Sequence, residues 1–341
     1  MEKMRRLYPA GLAAVLFILA AATILIAAGC YHKTAAPVPV TVEEKKEDPL
    51  PRLAAEEKIA GYARPGALIS VYELSRRLDD PGTFIIDTRG RSFKVLQASY
   101  PAGHIPGAVP ALHSNYCHPT YQGRIGTPLQ LQDFLGRLGA GTGNEIILYG
   151  NDGLQARLYW ALKMYGYDQV RILDGGLDKW KEAGFDVAIA ATRRPPGTFE
   201  FDLAGSKAEQ MMATAYEVAA AIGNSGYVII DARRNDEYLY KHIPGSINLS
   251  SEELFNQDRT FKPAHELRAL AESKKITPDK KILVYSNSGV RSSLVWFALS
   301  ELLGYPEVKN YDGSLQEWVK LERETEKGLQ TARPEPEKRR Q

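Results

Sequence analysis

The chain has 341 residues, of which 44% are hydrophobic and 25% are charged. These values are ordinary for a globular protein, and the length is enough for about two domains. The formal net charge of +2 gives no electrostatic reason to expect nucleic-acid binding, and two cysteines are too few for a disulfide framework or a cysteine-rich metal site. We expect no cofactor.

The first 30 residues have the pattern of a secretory signal peptide. Basic residues precede an almost uninterrupted apolar run, 12–28, which leads to Cys30. The ending resembles a bacterial lipobox, in which the cysteine receives lipid, although Ala27 stands where leucine is preferred. The alternative is an uncleaved transmembrane anchor, because the run is long enough to span a bilayer. We expect a lipid anchor at Cys30.

Either anchor places the remaining chain outside the cytoplasm, so we predict a protein of the cell envelope that faces the periplasm. Tyr31 follows the cysteine and provides no acidic signal for retention at the inner membrane. The outer membrane is therefore the predicted location of the anchor.

Two segments lack hydrophobic periodicity and are rich in proline and charged residues. They are 31–65, predicted as a disordered tether, and 323–341, predicted as a solvated tail. Between them we predict a first domain over 66–190, a linker over 191–207 and a second domain over 208–322.

An internal repeat indicates that the two domains are copies of one another. The recurring segments are 85–89 with 229–233, 104–108 with 242–246, 147–149 with 283–285, and 174–177 with 312–315. The second and fourth pairs share an offset of 138 residues, whereas the first pair is offset by 144. The first copy therefore carries six extra residues between its first two landmarks.

Each copy alternates short apolar runs with amphipathic stretches. The runs predict buried parallel strands over 84–86, 146–149, 170–173, 227–230 and 281–285. The stretches predict helices over 128–138, 156–165, 263–272 and 291–303. This alternation predicts an α/β protein with two doubly wound parallel sheets in tandem. Ligands of such sheets lie beyond the carboxyl ends of the strands, which here are Tyr149 and Tyr285.

The repeated motifs resemble those of the rhodanese superfamily. They are Asp-x-Arg, His-Ile-Pro-Gly, a strand that ends in a Gly-containing loop, and Asp-Gly-Gly followed by Trp. The second copy matches best, and its loop is Ser286, Asn287, Ser288, Gly289, Val290 and Arg291. The resemblance implies rhodanese-like, thiosulfate sulfurtransferase-type domains over roughly 66–190 and 208–322. In that family the first loop residue is a cysteine that carries sulfur as a persulfide.

The loop of the second copy has the features of an anion-binding site. Gly289 allows a tight backbone turn that directs successive N–H groups inward. The helix that begins near Arg291 adds its positive N-terminal end, and the guanidinium of Arg291 is predicted to clamp a small oxyanion.

The nucleophile of the family is missing from both loops. Ser286 occupies its position in the second copy, and a serine hydroxyl is too weakly acidic to replace a thiolate. Gly150 occupies it in the first copy, where Gln155 replaces Arg291 and Asp152 adds a charge that opposes anion binding. We expect neither loop to run the standard reaction.

Other polar residues of the motifs have a structural interpretation. The charged residues after the first strand of each copy are predicted to pair within their own domain, and the histidines to hydrogen-bond a turn. These residues are Asp87, Arg89, His104, Asp231, Arg233 and His242. Trp180 and Trp318 are predicted to pack in the core.

A small cluster of His113, Cys117 and His118 lies in a loop of the first copy. The residue types allow a metal site or a displaced sulfur carrier at Cys117. The favoured interpretation is a loop that packs against the domain interface, with Tyr116 and Tyr121 nearby.

Three functions agree with these observations. The favoured one is an envelope lipoprotein that binds a small inorganic anion, a sulfur compound or an envelope protein partner at the second loop without turnover. The second is a thiosulfate sulfurtransferase-type enzyme that uses Cys117 or a non-standard route. The third is a structural accessory subunit of an envelope complex.

Overall fold

The computed structural model describes residues 49–121 and 123–328. The predicted signal peptide, Cys30, and the segments 31–48 and 329–341 lie outside the described residues. Within 49–121 and 123–328, no helix has both the length and the apolar character needed to cross a membrane.

The first domain is built on a five-stranded parallel sheet with the strand order β1-β5-β4-β2-β3. Its elements are α1 (Pro49–Ala60), β1 (Leu68–Ile69), α2 (Val71–Ser75), β2 (Thr83–Gly90), α3 (Phe93–Ser99), β3 (Val109–Leu112), α4 (Pro128–Leu138), β4 (Glu145–Tyr149), α5 (Leu154–Met164), β5 (Val170–Leu173) and α6 (Gly176–Glu182). Apolar side chains pack on both faces of the sheet, as the continuous hydrophobic runs of its strands require.

The second domain repeats this plan with a four-stranded parallel sheet of order β7-β6-β8-β9. Its elements are α7 (Ala208–Met211), α8 (Ala215–Ala221), β6 (Tyr227–Asp231), α9 (Asn235–Tyr240), β7 (Ile247–Asn248), α10 (Ala264–Ser273), β8 (Lys281–Tyr285), α11 (Val290–Phe297), β9 (Val308–Asn310) and α12 (Ser314–Lys320). A single bridge between Met212 and Asn310 stands where the first domain has β1. The predicted α/β class and the two parallel sheets in tandem are confirmed.

The prediction of a disordered tether is wrong for residues 49–65. This segment forms helix α1 and a short 3-10 helix, Pro65–Ala67, and it buries Ile59 and Tyr62. The Tyr62 hydroxyl donates to the carbonyl oxygen of Lys262 in the second domain at 2.9 Å. Composition suggested a solvated segment because the apolar and polar partners that hold α1 come from distant parts of the chain.

The prediction of a solvated tail is wrong for residues 323–328. The backbone of Glu326 pairs with that of His242 through two hydrogen bonds of 2.9 Å, as the backbone of Ala188 pairs with His104 in the first domain. The second domain therefore includes these residues, and the remaining tail lies outside the described chain.

One hydrophobic cluster extends across both domains. Helices α5 and α11 pack together there, and the rings of Tyr159 and Phe297 meet edge to face with their centroids 4.9 Å apart. The Tyr159 hydroxyl donates to the Glu301 carboxylate at 3.1 Å. This shared core fixes the position of the carboxyl ends of one sheet relative to those of the other.

Each domain also reaches across to the Asp-Gly turn of the other. The Asp174 carboxylate accepts a hydrogen bond from the N–H of Phe261, and the Asp312 carboxylate accepts one from the N–H of Ile125, both at 2.8 Å. The two contacts are equivalent in the repeat, so the domains hold each other in a pseudosymmetric way.

The cations that neutralise these two carboxylates come from unrelated places. Arg157 of α5, which is fully buried, pairs with Asp312 at 2.8 Å. Lys58 of α1 pairs with Asp174 at 2.6 Å. Helix α1, which lies outside the repeat, therefore provides the cation for Asp174. The cation for Asp312 comes from helix α5, which is part of the repeat.

Candidate ligand-binding cleft

The loop between β8 and α11 has the turn that the sequence predicts. Gly289 has a φ of +77°, and a Cβ at this position would lie 2.2 Å from Arg157 Nη1 and 2.7 Å from the carbonyl oxygen of Asp312. The first N–H groups of α11 have no intrahelical acceptor, as in any helix, and no side chain within 49–121 and 123–328 caps them. Ser286 begins the loop and is 1% exposed.

Ser314 holds this loop from behind. Its hydroxyl accepts hydrogen bonds from the N–H groups of Ser286 and Gly289 at 3.0 and 2.9 Å, and donates to the carbonyl oxygen of Tyr311. Ser314 adopts a φ of +53°, a conformation that Gly176 adopts at the equivalent position of the first copy. Two of the N–H groups expected to face a ligand are thus already satisfied, whereas those of Asn287 and Ser288 have no acceptor among the described residues.

A cleft of about 400 Å³ opens in front of the loop and is lined by both domains. The first domain contributes Arg91, Asn151 and Asp152. The second domain contributes Arg234, Glu237, Ser251, Glu252, Ser286, Asn287, Ser288, Val290 and Arg291. Among the described residues, three arginines and three carboxylates line the cleft, so this lining carries no excess positive charge.

Arg291 is already paired with a carboxylate in this structure, so the predicted clamp on an anion requires that pair to open or to be shared. Its guanidinium makes a two-pronged ion pair with the carboxylate of Glu237, and one of the two contacts is 2.9 Å. The hydrogen bond from Arg291 holds the pKa of Glu237 below its ordinary value. Glu237 lies on α9, whose distance from the loop could not be read from the sequence.

The loop of the first domain is closed. A Cβ on Gly150 would lie 2.5 Å from Thr88 Oγ1 and 3.1 Å from Gln155 Oε1, and the space beside it is only about 10 Å³. Gln155 also accepts the N–H of Gly153 at 3.1 Å. The Asp152 carboxylate forms an ion pair with Arg91, with Nε of Arg91 2.8 Å from Oδ2 of Asp152. The first loop therefore has no room for a nucleophile or a ligand.

The Asp-x-Arg residues pair within their own domains. Arg89 Nε lies 2.9 and 3.1 Å from the two carboxylate oxygens of Asp87, and Arg233 Nε lies at the same distances from those of Asp231. Arg89 also donates to the carbonyl oxygen of Gly103 at 2.9 Å. These pairs join the end of each central strand to the turn that follows it.

The histidines and tryptophans of the motifs lie inside the domains. Nδ1 of His104 and of His242 lies 2.9 and 2.8 Å from the carbonyl oxygen four residues earlier, and each ring stacks on the tyrosine that carries this carbonyl. Trp180 and Trp318 are buried in their respective cores. None of the four lines the cleft.

The candidate cluster around Cys117 lies near the domain interface. Burial raises the pKa of the Cys117 thiol, and burial lowers the pKa of His113 to about 4. His118 Nδ1 accepts the N–H groups of Thr120 and Tyr121, both at 3.2 Å. Within 49–121 and 123–328, no group of three or more His, Cys, Asp or Glu residues could hold a metal ion. A raised pKa disfavours the thiolate that a sulfur carrier needs.

Several residues that line the cleft or support its loop were not identified as site residues from the sequence. Arg91 lies where the first copy is longer than the second, and Ser314 stands where the first copy has Gly176, so the repeat alignment contained a signal for both. Ser251 and Arg234 had no such signal, because only the tertiary packing of the second domain brings them to the loop.

Comparisons with known proteins agree with this architecture. The family model for the rhodanese-like domain matches residues 70–183 and 214–321. The sulfur carrier protein TtuD of Thermus thermophilus is 33% identical over 280 residues, which cover 76% of this chain and 96% of that protein. A putative thiosulfate sulfurtransferase of Mycolicibacterium smegmatis is 31% identical over 277 residues, which also cover 76% and 96%.

Among solved structures, the fold is similar to that of the anaerobic ergothioneine biosynthesis enzyme from Chlorobium limicola in complex with trimethyl histidine. The TM-score is 0.69 at 21% identity, over 79% of this chain and 72% of that one. At this identity the similarity concerns the fold alone. The two matched segments, the full-length relatives and the duplicated parallel sheets together show that the chain belongs to the rhodanese family, with two rhodanese-like domains in tandem.

Proposed function

We propose that this protein is an envelope lipoprotein that binds a small anion or sulfur compound in the second-domain cleft and does not turn it over through a persulfide. The observation that carries the proposal is the loop at Ser286. It retains the turn at Gly289 and the uncapped helix end, and it faces an open cleft, but a hydroxyl stands at its nucleophile position.

The chemistry of Ser286 supports binding without turnover. Its hydroxyl lies 3.3 Å from that of Ser292, and within the described chain no histidine or carboxylate hydrogen-bonds to it as a base would. A serine activated for attack needs such a base, because its own acidity is far too weak at neutral pH. Oxygen also forms no stable counterpart of the persulfide.

The anchor is part of the same proposal. Cys30 would carry lipid and hold the domains at the membrane surface on the periplasmic side, with the outer membrane as the predicted location. An envelope partner would then meet the cleft from the aqueous side. The support is the sequence pattern before Cys30.

An assay of sulfur transfer from thiosulfate to cyanide distinguishes this proposal from the alternative that the protein is a sulfurtransferase. The wild-type chain is expected to show no transfer above background, and Cys117→Ser is expected to change nothing. Robust wild-type turnover that is lost in Cys117→Ser would contradict the proposal and establish Cys117 as the carrier.

The variant Ser286→Cys is the positive counterpart of that assay. It places a thiol at a helix N-terminus beside unpaired N–H groups, which lower a thiol pKa. We expect this thiolate to take the outer sulfur of thiosulfate as a persulfide with release of sulfite, or at least to react with iodoacetamide faster than Cys117 does. An inert thiol at position 286 would show that the loop does not stabilise negative charge.

Anion binding is tested directly by calorimetry with thiosulfate and sulfate. Arg291→Ala is expected to weaken binding by about 1.5–3 kcal/mol, the range for a hydrogen bond to a charged group. Ser286→Ala should change it only slightly, because the loop N–H groups remain. No anion binding to the wild-type chain would favour the structural accessory role.

A further inference from the structure

The distribution of charge in the cleft restricts which charged groups a ligand can carry, more narrowly than the proposed function does. Arg291 can bind an anion only if its ion pair with Glu237 opens or is shared. The two side chains are only 25% and 26% exposed, so water replaces a lost partner poorly. An anion that draws Arg291 away leaves the Glu237 carboxylate without its counter-ion.

The other arginines of the cleft are also paired, although their side chains are more exposed than that of Arg291, at 54% for Arg91 and 63% for Arg234. Arg91 pairs with Asp152 at 2.8 Å, and Arg234 pairs with the neighbouring Asp236 at 3.1 Å. A simple anion therefore meets no unpaired cation among the described residues of the cleft. A ligand that carries a cation as well as an anion can pair with both members of an ion pair and leave neither charge without a partner.

The size of the cleft and a buried hydroxyl group in its wall also favour an organic ligand. A volume of about 400 Å³ is typical of sites for organic molecules, whereas a water molecule takes about 30 Å³ of liquid and a five-atom inorganic oxyanion only a few times that. The Ser251 hydroxyl is buried in the cleft wall and has no hydrogen-bond partner within 49–121 and 123–328. A buried hydroxyl of this kind costs free energy unless a ligand satisfies it.

We propose that the cleft takes a zwitterionic organic molecule of amino-acid size. Its anionic group binds at the loop beside Arg291, and its cationic group binds Glu237. This inference rests on the proposed function and deepens it, because it names the class of ligand for the same site.

Taurine and ethanesulfonate are the matched probes. Both carry a sulfonate on a two-carbon chain, and only taurine adds an ammonium group. In calorimetry with the full chain, taurine is expected to bind about five- to tenfold more tightly, the effect of one additional, partly desolvated ion pair. Ser251→Ala is expected to weaken taurine binding without lowering the stability of the free protein, since the hydroxyl loses no hydrogen-bond partner among the described residues.

Glu237→Gln tests the assigned cation site. It removes the carboxylate that requires a cation, so the preference for taurine should disappear and ethanesulfonate should bind more tightly than to the wild type. Glu252→Gln is the matched control, because this carboxylate lines the same cleft but pairs with Arg259 at 2.6 Å. The control variant should keep the preference.

The outcomes separate the two proposals. The zwitterion proposal would be overturned if the wild type bound taurine and ethanesulfonate with equal affinity and Arg291→Ala bound neither. That result would still support the proposed anion binding. A preference for taurine that survives Glu237→Gln would also overturn it. Failure of both probes and of thiosulfate to bind the wild type would overturn the proposed function itself.

Discussion

Replacing Lys58 by methionine removes the cation that helix α1 brings to the buried carboxylate of Asp174. The lysine side chain is 16% exposed and the aspartate 4%, and Lys58 also donates to the carbonyl oxygen of Phe261 at 3.2 Å. Breaking a buried ion pair costs about 3–5 kcal/mol, and partial access of water to Lys58 reduces this to about 2–4 kcal/mol. At about 2–4 °C per kcal/mol, the melting temperature should fall by about 4–16 °C.

The pH dependence of this loss has a defined sign. Burial raises the folded-state pKa of Asp174 above its ordinary value, and Lys58 opposes that rise. The stabilising contribution of a carboxyl with a raised pKa is complete below its unfolded pKa and is lost as pH rises through the folded pKa. Without Lys58 the folded pKa rises further, so the variant should lose most stability near neutral pH and approach the wild type as pH falls toward about 4.

Chemical denaturation at several pH values, with Arg52→Met as the matched control, measures both effects. Arg52 lies on the same helix, but its ion pair with Glu56 is only half-buried, with the side chains 29% and 38% exposed, so its loss should cost less than about 1 kcal/mol. The double variant Lys58→Met, Asp174→Asn should recover most of the stability. A loss in Lys58→Met no larger than in the control, or one that grows on acidification, would refute the assigned role of α1.

Three further predictions follow from the described contacts and the N-terminal pattern. Gly289→Ala should lower the free energy of unfolding by more than about 2 kcal/mol, since its Cβ meets a buried guanidinium and its φ is +77°; a melting temperature like that of the wild type would contradict the loop geometry. Gly150→Cys should give no fast-alkylating thiol, unlike the serine-to-cysteine exchange in the second loop, because Thr88 fills the space beside it; rapid modification in an iodoacetamide time course would show that the first loop opens. Cys30→Ala should abolish lipid labelling and release the protein from membranes, and persistent labelling would exclude the lipid anchor.

Much of the fold could be predicted because its determinants are local and occur twice. The strands predicted over 170–173 and 281–285 and the helix over 128–138 have the predicted bounds, since each is marked by apolar periodicity and by turn residues at its ends. The repeat also located the loop after β8 and its serine. Such features depend on neighbours in the sequence, so one chain is enough to identify them.

The sequence by itself therefore determined the duplicated α/β plan, the position of the second loop and the absence of its nucleophile. Only the tertiary structure decided what surrounds that loop. Glu237 neutralises Arg291, Thr88 fills the first loop, and helix α1 folds against both domains instead of remaining a tether. These contacts join residues from separate elements, and whether a charge is free or paired depends on distances that no local pattern contains.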